Sequence, residues 1–226
     1  MELRPIAHIE SPFPTKFGIP RQAGLAGELE ATVVFEKDFA VREALRGIEN
    51  FSHLWLIWEF SEFAGKEWSP TVRPPRLGGN RRLGVFATRS PLRPNPIGLS
   101  CVRLLRVGED GVSLVVAGAD LMDGTPIVDI KPYIPYADCH PEAAEGYAAR
   151  PEETLRVEFL CEVPEEKKEA LRRILALDPR PQYQDDPDRI YGFGFDGAEI
   201  RFRVEKDVLK VTEIVQKNID KGHGIC

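Results

Sequence analysis

"LSCVRLLRVGEDGVSLVVAG", residues 99–118, reads as a hairpin: apolar runs over 99–107 and 112–118 folded about the Gly/Asp turn at 108–111. Working outward, "LGVFAT" (83–88) and "IVDI" (127–130) have the length and composition of further strands. "GELEATVVF" (27–35) is rich in β-branched residues, and "HLWLIWEF" (53–60) is a short, nearly continuous apolar run that predicts a strand buried on both faces. Between those two, Ala40, Ala44, Leu45 and Ile48 recur at helical spacing, with Asp38 placed to cap a helix. Many short strands punctuated by turns predict a mainly β chain with some α, a barrel or sandwich rather than alternating β and α units.

Composition shifts in "HPEAAEGYAARPEETL", residues 140–155, which lacks strand periodicity and marks a boundary at about 141–153. A strand "LRVEFLCEV", a helix "PEEKKEALRRILAL" and a hairpin "IYGFGF"/"AEIRFRV" about Asp196-Gly197 follow, then a last strand "VLKVTEIV". The expected organisation is a β-barrel domain over 1–145, a small α+β domain over 153–215 and a mobile tail over 216–226.

The 226 residues carry a net charge of −6, which by itself argues against a nucleic-acid partner. The average conceals a pattern. Between Glu67 and Glu109 there is no acid, whereas Arg73, Arg76, Arg81, Arg82, Arg89, Arg93, Arg103 and Arg106 all fall inside. Within that segment "ATRSPLRPNPIGLS" (87–100) packs three prolines and two arginines around Asn95. Proline fixes φ, removes a donor and biases its predecessor away from helix, so this is a stiff loop carrying Arg89, Arg93 and the Asn95 amide at set angles. Arg73, Arg76, Arg81, Arg82 and Arg93 are the expected RNA-contacting residues.

Other signals are excluded by context. Gly192, Gly194 and Gly197 spell G-x-G-x-x-G but lead into a strand rather than a helix, so no dinucleotide fold of the Rossmann type is expected. "RLGGN" lacks the Lys-Ser/Thr of a phosphate loop, and "DDPD" lacks the glycine and distal Glu of a calcium loop. Four scattered cysteines without a C-x-x-C pair, and four histidines, predict reduced thiols and no metal. No leader-like start and no apolar run of spanning length is present, so a cytoplasmic protein away from the membrane is expected. Asp120, Asp123 and Asp129 in "GADLMDGTPIVDIKPY" stand out as carboxylates beside a glycine turn, able to accept hydrogen bonds from a ribose or an adenine amine, although on local pattern alone an Asp-Gly turn between two strands accounts for them as well or better.

"PRQAG", "FSHLWLIWEF", "PTVRPPRLGGN", "GVFATRSPLRPNPIGLS", "DLMDGTPIVDIKPYIPYAD" and "DPRPQY", in that order and spacing, resemble the TsaA-like family, also called YaeB or TrmO. The resemblance spans nearly the whole chain. It implies a non-Rossmann β-barrel methyltransferase followed by a small C-terminal domain that helps to hold tRNA. The implied activity is S-adenosylmethionine-dependent methylation of N6 of threonylcarbamoyl-adenosine at position 37, just 3′ of the tRNA anticodon, by a homodimer. Cofactor contacts carried over from the family fall on Arg21, Gln22 and Ala23, on Phe60 and Ser61, on Arg89 and Leu99, and on Asp123, Gly124, Thr125 and Pro126. Some relatives carry His where Ser61 stands. For the chemistry, the Asn95 side-chain carbonyl, presented between two prolines, is the expected acceptor for the amine hydrogen. Two alternatives stay open: a non-catalytic barrel that binds S-adenosylmethionine or a nucleotide, and a methyltransferase acting on another RNA or a small molecule.

Overall fold

The computed structural model describes residues 3–74, 77, 81–148, 155–180, 186 and 188–216. Strands β1 (Ala7–Glu10), β2 (Glu30–Phe35), β3 (His53–Glu59), β6 (Ile97–Val107), β7 (Ser113–Ala117) and β8 (Pro126–Pro132) close into an antiparallel barrel in the order β1-β2-β7-β6-β3-β8. The two shortest strands, β4 (Thr71–Val72) and β5 (Leu83–Gly84), pair with each other on the long β3–β6 connection. Ile9, Val33, Leu54, Leu56, Val102, Leu114, Val116 and Ile127 fill the barrel interior. Register breaks at Ile57/Trp58 and Leu104/Arg106 bend β3 and β6, as closing a small barrel requires.

The second unit is a sheet in the order β10-β11-β12-β9, built from β9 (Arg156–Phe159), β10 (Tyr191–Phe195), β11 (Ala198–Glu205) and β12 (Val208–Gln216). Helix α2 (Glu165–Ala176) buries Leu171, Ile174 and Leu175 against it, and a one-turn helix α1 (Pro135–Asp138) follows the barrel. Asp196 and Gly197 both adopt positive φ, 46° and 75°, so the glycine triplet is a hairpin turn as its context requires.

Three expectations are corrected. The segment expected to be helical is two 3-10 turns, Arg42–Leu45 and Ile48–Asn50, separated by Gly47 at φ 86°. Only Leu45 is buried in them and Asp38 caps neither, so no apolar stripe supports a longer helix. The strand expected over 83–88 ends after Gly84, where Val85–Ala87 turns towards the proline loop. Strand β3 is not buried on both faces: its residues alternate between buried and half-buried, since one face looks into the barrel and the other outward. The expected tail falls outside the described residues except Gln216, which lies in β12.

Candidate active site

Antiparallel closure sorts the connections into two sets. One end of the barrel gathers the C-terminal ends of β1, β3 and β7 and the N-terminal ends of β2, β6 and β8, as the partners Glu10/Thr32, Glu59/Ile97, Trp58/Ile127 and His8/Pro126 require. Every residue expected to contact the cofactor lies there. Arg21, Gln22 and Ala23 are on the β1–β2 connection, and Phe60 and Ser61 directly follow β3. Arg89 lies just before β6, Leu99 is in its first turns of ladder, and Asp123, Gly124 and Thr125 lead into Pro126 at the start of β8. Asn95, Arg73, Arg81, Arg82 and Arg93 share the β3–β6 connection at the same end.

A cleft of about 980 Å³ opens here, lined by Arg21, Gln22, Arg81, Phe86, Thr88 and Arg89, and by residues 144–148 on its far wall. The Arg89 guanidinium donates to the Gln22 side-chain carbonyl, tying the proline loop to the β1–β2 connection. Three arginines face a single acid in the lining, Glu145, so the cleft favours an anionic group.

At the same end of the barrel runs a buried polar chain. Trp58 Nε1 donates to Ser100 Oγ at 2.9 Å, and Ser100 Oγ donates to Asp120 Oδ1 at 2.5 Å. Gly98 is what lets the Trp58 indole lie across β6, since a Cβ there would stand 2.3 Å from its ring. Burial raises the Asp120 pKa, opposed by the Ser100 hydroxyl, the Arg89 charge and the Ala23 N–H. Asp120 thus joins β6, Arg89 and the PRQAG loop. It is one of the three carboxylates, with Asp123 and Asp129, that the carboxylate-beside-glycine pattern singled out; its partner Ser100, and Trp58 beyond it, carry no signal in a single sequence.

The remaining residues are distributed around the rim. Phe60 packs against Trp58 with ring centroids 4.2 Å apart and planes tilted by 60°, and donates its N–H to Pro96 O at 2.7 Å. Ser61 is exposed, and Leu99 is 52% exposed on the outer face of β6. Asp123 accepts the Ser11 N–H at 2.9 Å, Gly124 donates to Ile9 O, and buried Thr125 donates to Met122 O at 2.6 Å, so this turn is braced against β1 rather than lining the cleft. Arg93 donates to Thr88 O and Ser90 O and stiffens its own loop. Arg73, Arg81 and Arg82 are exposed, and none has an acidic partner among the described residues; Arg76 lies outside them. Asn95 is exposed, and its side-chain amide has no protein partner among the described residues.

Residues 8–139 match the family model described as tRNA-methyltransferase O N-terminal domain, and 152–217 match the TrmO C-terminal domain. A tRNA (adenine(37)-N6)-methyltransferase of Eikenella corrodens is 48% identical over 172 residues, covering 74% of this chain and 98% of that protein. A putative S-adenosylmethionine-dependent methyltransferase, RcsF, of Pseudomonas aeruginosa is 41% identical over 223 residues, 93% of this chain and 96% of its own length. The crystal structure of TrmO from Pseudomonas aeruginosa superposes with a TM-score of 0.77 at 34% identity, over 95% of this chain and 98% of that one. With barrel, C-terminal sheet and both family models in register along one chain, this protein belongs to the tRNA-methyltransferase O family, the tRNA (adenine(37)-N6)-methyltransferases.

Proposed function

We propose that the chain transfers the methyl group of S-adenosylmethionine to N6 of adenosine 37 in the tRNA anticodon loop. The threonylcarbamoyl form of that base is the acceptor, and the enzyme is a cytoplasmic homodimer. The observation that carries this reading is the convergence of all the family's cofactor positions, the arginine-rich connection and Asn95 on one end of the barrel. The names of the relatives supply the reaction and the methyl donor.

The residues present suit the cofactor. Its amino-acid end carries a carboxylate, for which Arg21 and Arg89 offer planar donors, and an ammonium, for which Glu145 is the acid in the cleft. The volume is that of a site for a ligand of this size. When bound, S-adenosylmethionine supplies an electrophilic methyl group on a sulfonium. The protein aligns the acceptor nitrogen with that carbon. Asn95 would accept the one hydrogen that carbamoylation leaves on N6, raising the electron density on that nitrogen; as the new C–N bond forms the methyl–sulfur bond breaks, leaving the cofactor as its neutral thioether, and the proton passes to water. Arg73, Arg76, Arg81, Arg82 and Arg93 meet the phosphates of the anticodon stem-loop. The target base sits in a single-stranded loop, so presenting it costs less than flipping from a duplex.

Phe86, 75% exposed in the cleft lining, and Leu99, 52% exposed on the outer face of β6, supply apolar surface for a second copy; light scattering on the purified protein tests this, with a monomer mass counting against it. For the reaction, the protein is incubated with methyl-labelled S-adenosylmethionine and one tRNA in two forms, with and without threonylcarbamoyl-adenosine, and the label is located after digestion. Label on N6 of the carbamoylated base alone is expected. Cofactor binding without label on either form would favour a sensor or another acceptor.

A further inference from the structure

The PRQAG loop is anchored in the C-terminal sheet. Phe13, fully buried, and Ala26 and Leu29, on either side of the loop, belong to the same core as Leu171, Leu175, Phe193 and Phe202. Phe13 meets Phe195 edge-on at 5.7 Å, and Phe17 meets Phe193 at 6.3 Å. Pro12 O accepts the Asp196 N–H at 2.7 Å, and Glu28 pairs with Arg173 of α2 at 3.0 Å. The chain therefore leaves β1, packs over the edge strand β10 and returns to β2, carrying Arg21, Gln22 and Ala23 between two attachments.

Two glycines record how closely the parts meet. At Gly18, φ 92°, a Cβ would lie 2.2 Å from the Phe193 ring. At Gly194 in β10, a Cβ would lie 2.6 Å from Pro14 Cγ and 3.3 Å from its Cδ. In a strand 193 and 194 point to opposite faces, so the 12–18 segment grips both faces of β10. On the barrel side the loop is fastened by the Gly24 N–H to Gly118 O at 2.8 Å, by the Ala23 N–H towards Asp120 and by the Arg89 guanidinium on the Gln22 side-chain carbonyl, all of them polar contacts rather than core packing.

We propose that the C-terminal sheet is a positioning platform for the cofactor loop, with β10 setting where Arg21 and Gln22 stand, so that S-adenosylmethionine affinity depends on contacts that never touch the cleft. This rests on the reading of Arg21 and Gln22 as cofactor-binding residues. It assigns the C-terminal domain a part in the cofactor site, separate from any contact with tRNA.

The test uses the full chain. Gly194→Ala drives a methyl group into Pro14, and Pro14→Ala removes both atoms it would strike. Gly192→Ala, on the same strand, would meet chiefly the end of the flexible Glu199 side chain and serves as the control. Hydrogen exchange over residues 20–27 reads loop position without ligand, and titration with S-adenosylmethionine reads the consequence. Gly194→Ala is expected to speed exchange in that peptide and raise the S-adenosylmethionine Kd about tenfold, the double variant to restore both, and Gly192→Ala to change neither. Phe17→Leu, which trims the contact with Phe193 without adding atoms, is expected to act in the same direction and serves if Gly194→Ala does not fold. Unchanged loop exchange in Gly194→Ala and Phe17→Leu, or faster exchange with unchanged affinity while Arg21→Ala abolishes binding, overturns the proposal. Failure of the double variant to restore the loop does the same. Faster exchange, restored in the double variant, in a protein that binds no S-adenosylmethionine even as wild type would uphold the mechanical coupling and sink the cofactor reading instead.

Discussion

Ser100 Oγ stands 2.5 Å from Asp120 Oδ1 and accepts the Trp58 indole N–H at 2.9 Å, so one hydroxyl on β6 satisfies a carboxylate and an indole that both face the barrel end. Ser100 is 1% exposed, which leaves no water to replace it. Ser100→Ala strips a partner from each neighbour, and each buried polar group left unmatched costs about 1–3 kcal/mol. The expected loss of about 2 kcal/mol should lower Tm by about 4–8 °C, read by thermal unfolding. A Tm within a degree of wild type would mean that the chain contributes nothing to stability.

Asp120 gives a pH signature. Burial raises its pKa above the ordinary 3.8, against the pull of Ser100, Arg89 and the Ala23 N–H. A carboxyl with a raised folded-state pKa favours folding most below its unfolded value, and that contribution is lost as pH climbs through the folded value. Asp120→Asn removes the titration. Urea unfolding of both proteins from pH 4 upward should show wild type losing stability relative to the variant as pH rises; the opposite slope would mean that the carboxylate is stabilised by its partners.

How far this arrangement is legible beforehand differs by residue. The hairpin about 108–111 and the Asp196-Gly197 turn are local, with glycine and aspartate marking the bend, and both form as read. The 38–51 segment misleads because helical spacing of Ala40, Ala44, Leu45 and Ile48 says nothing about whether a partner surface exists, and here only Leu45 is buried, with Ile48 half-buried against the barrel core. Arg21, Gln22 and Arg89 are legible through family motifs, and the cleft brings them together. Ser100 and Trp58 are not, because a serine and a tryptophan 42 residues apart become partners only when β3 and β6 pair in register. Gly18 and Gly194 are silent for the same reason: their need to lack a side chain comes from Phe193 and Pro14, distant in sequence.

Arg81 and Arg82 are exposed on the β3–β6 connection, and Arg82 holds Thr71 Oγ1 at 3.2 Å. If they meet tRNA phosphates, each removal eliminates one counterion-releasing contact. The slope of log K against log salt should then flatten by about 0.7–0.9 per arginine in binding titrations of Arg81→Ala and Arg82→Ala at several salt concentrations. Arg106, paired with Glu30 at 3.7 Å near the far end of β6, is the control and should leave the slope unchanged. Equal slopes for all three variants would remove these two arginines from the RNA contact.

Asn95 is held by prolines on both sides, its backbone carbonyl accepts the Ile97 N–H at 2.7 Å, and its amide faces outward. A group that accepts a hydrogen only as the nitrogen attacks should act on turnover and not on binding, since its bond strengthens in the transition state. Asn95→Ala is therefore expected to lower kcat on the order of 10²-fold with the tRNA Kd and the S-adenosylmethionine KM near wild type. Asn95→Asp keeps an acceptor oxygen at the same place and should recover part of that loss. A rise in KM with kcat intact would make Asn95 a binding residue. Wild-type turnover in Asn95→Ala with normal tRNA binding would remove it from the chemistry, leaving the N6 hydrogen to an acceptor elsewhere on the rim.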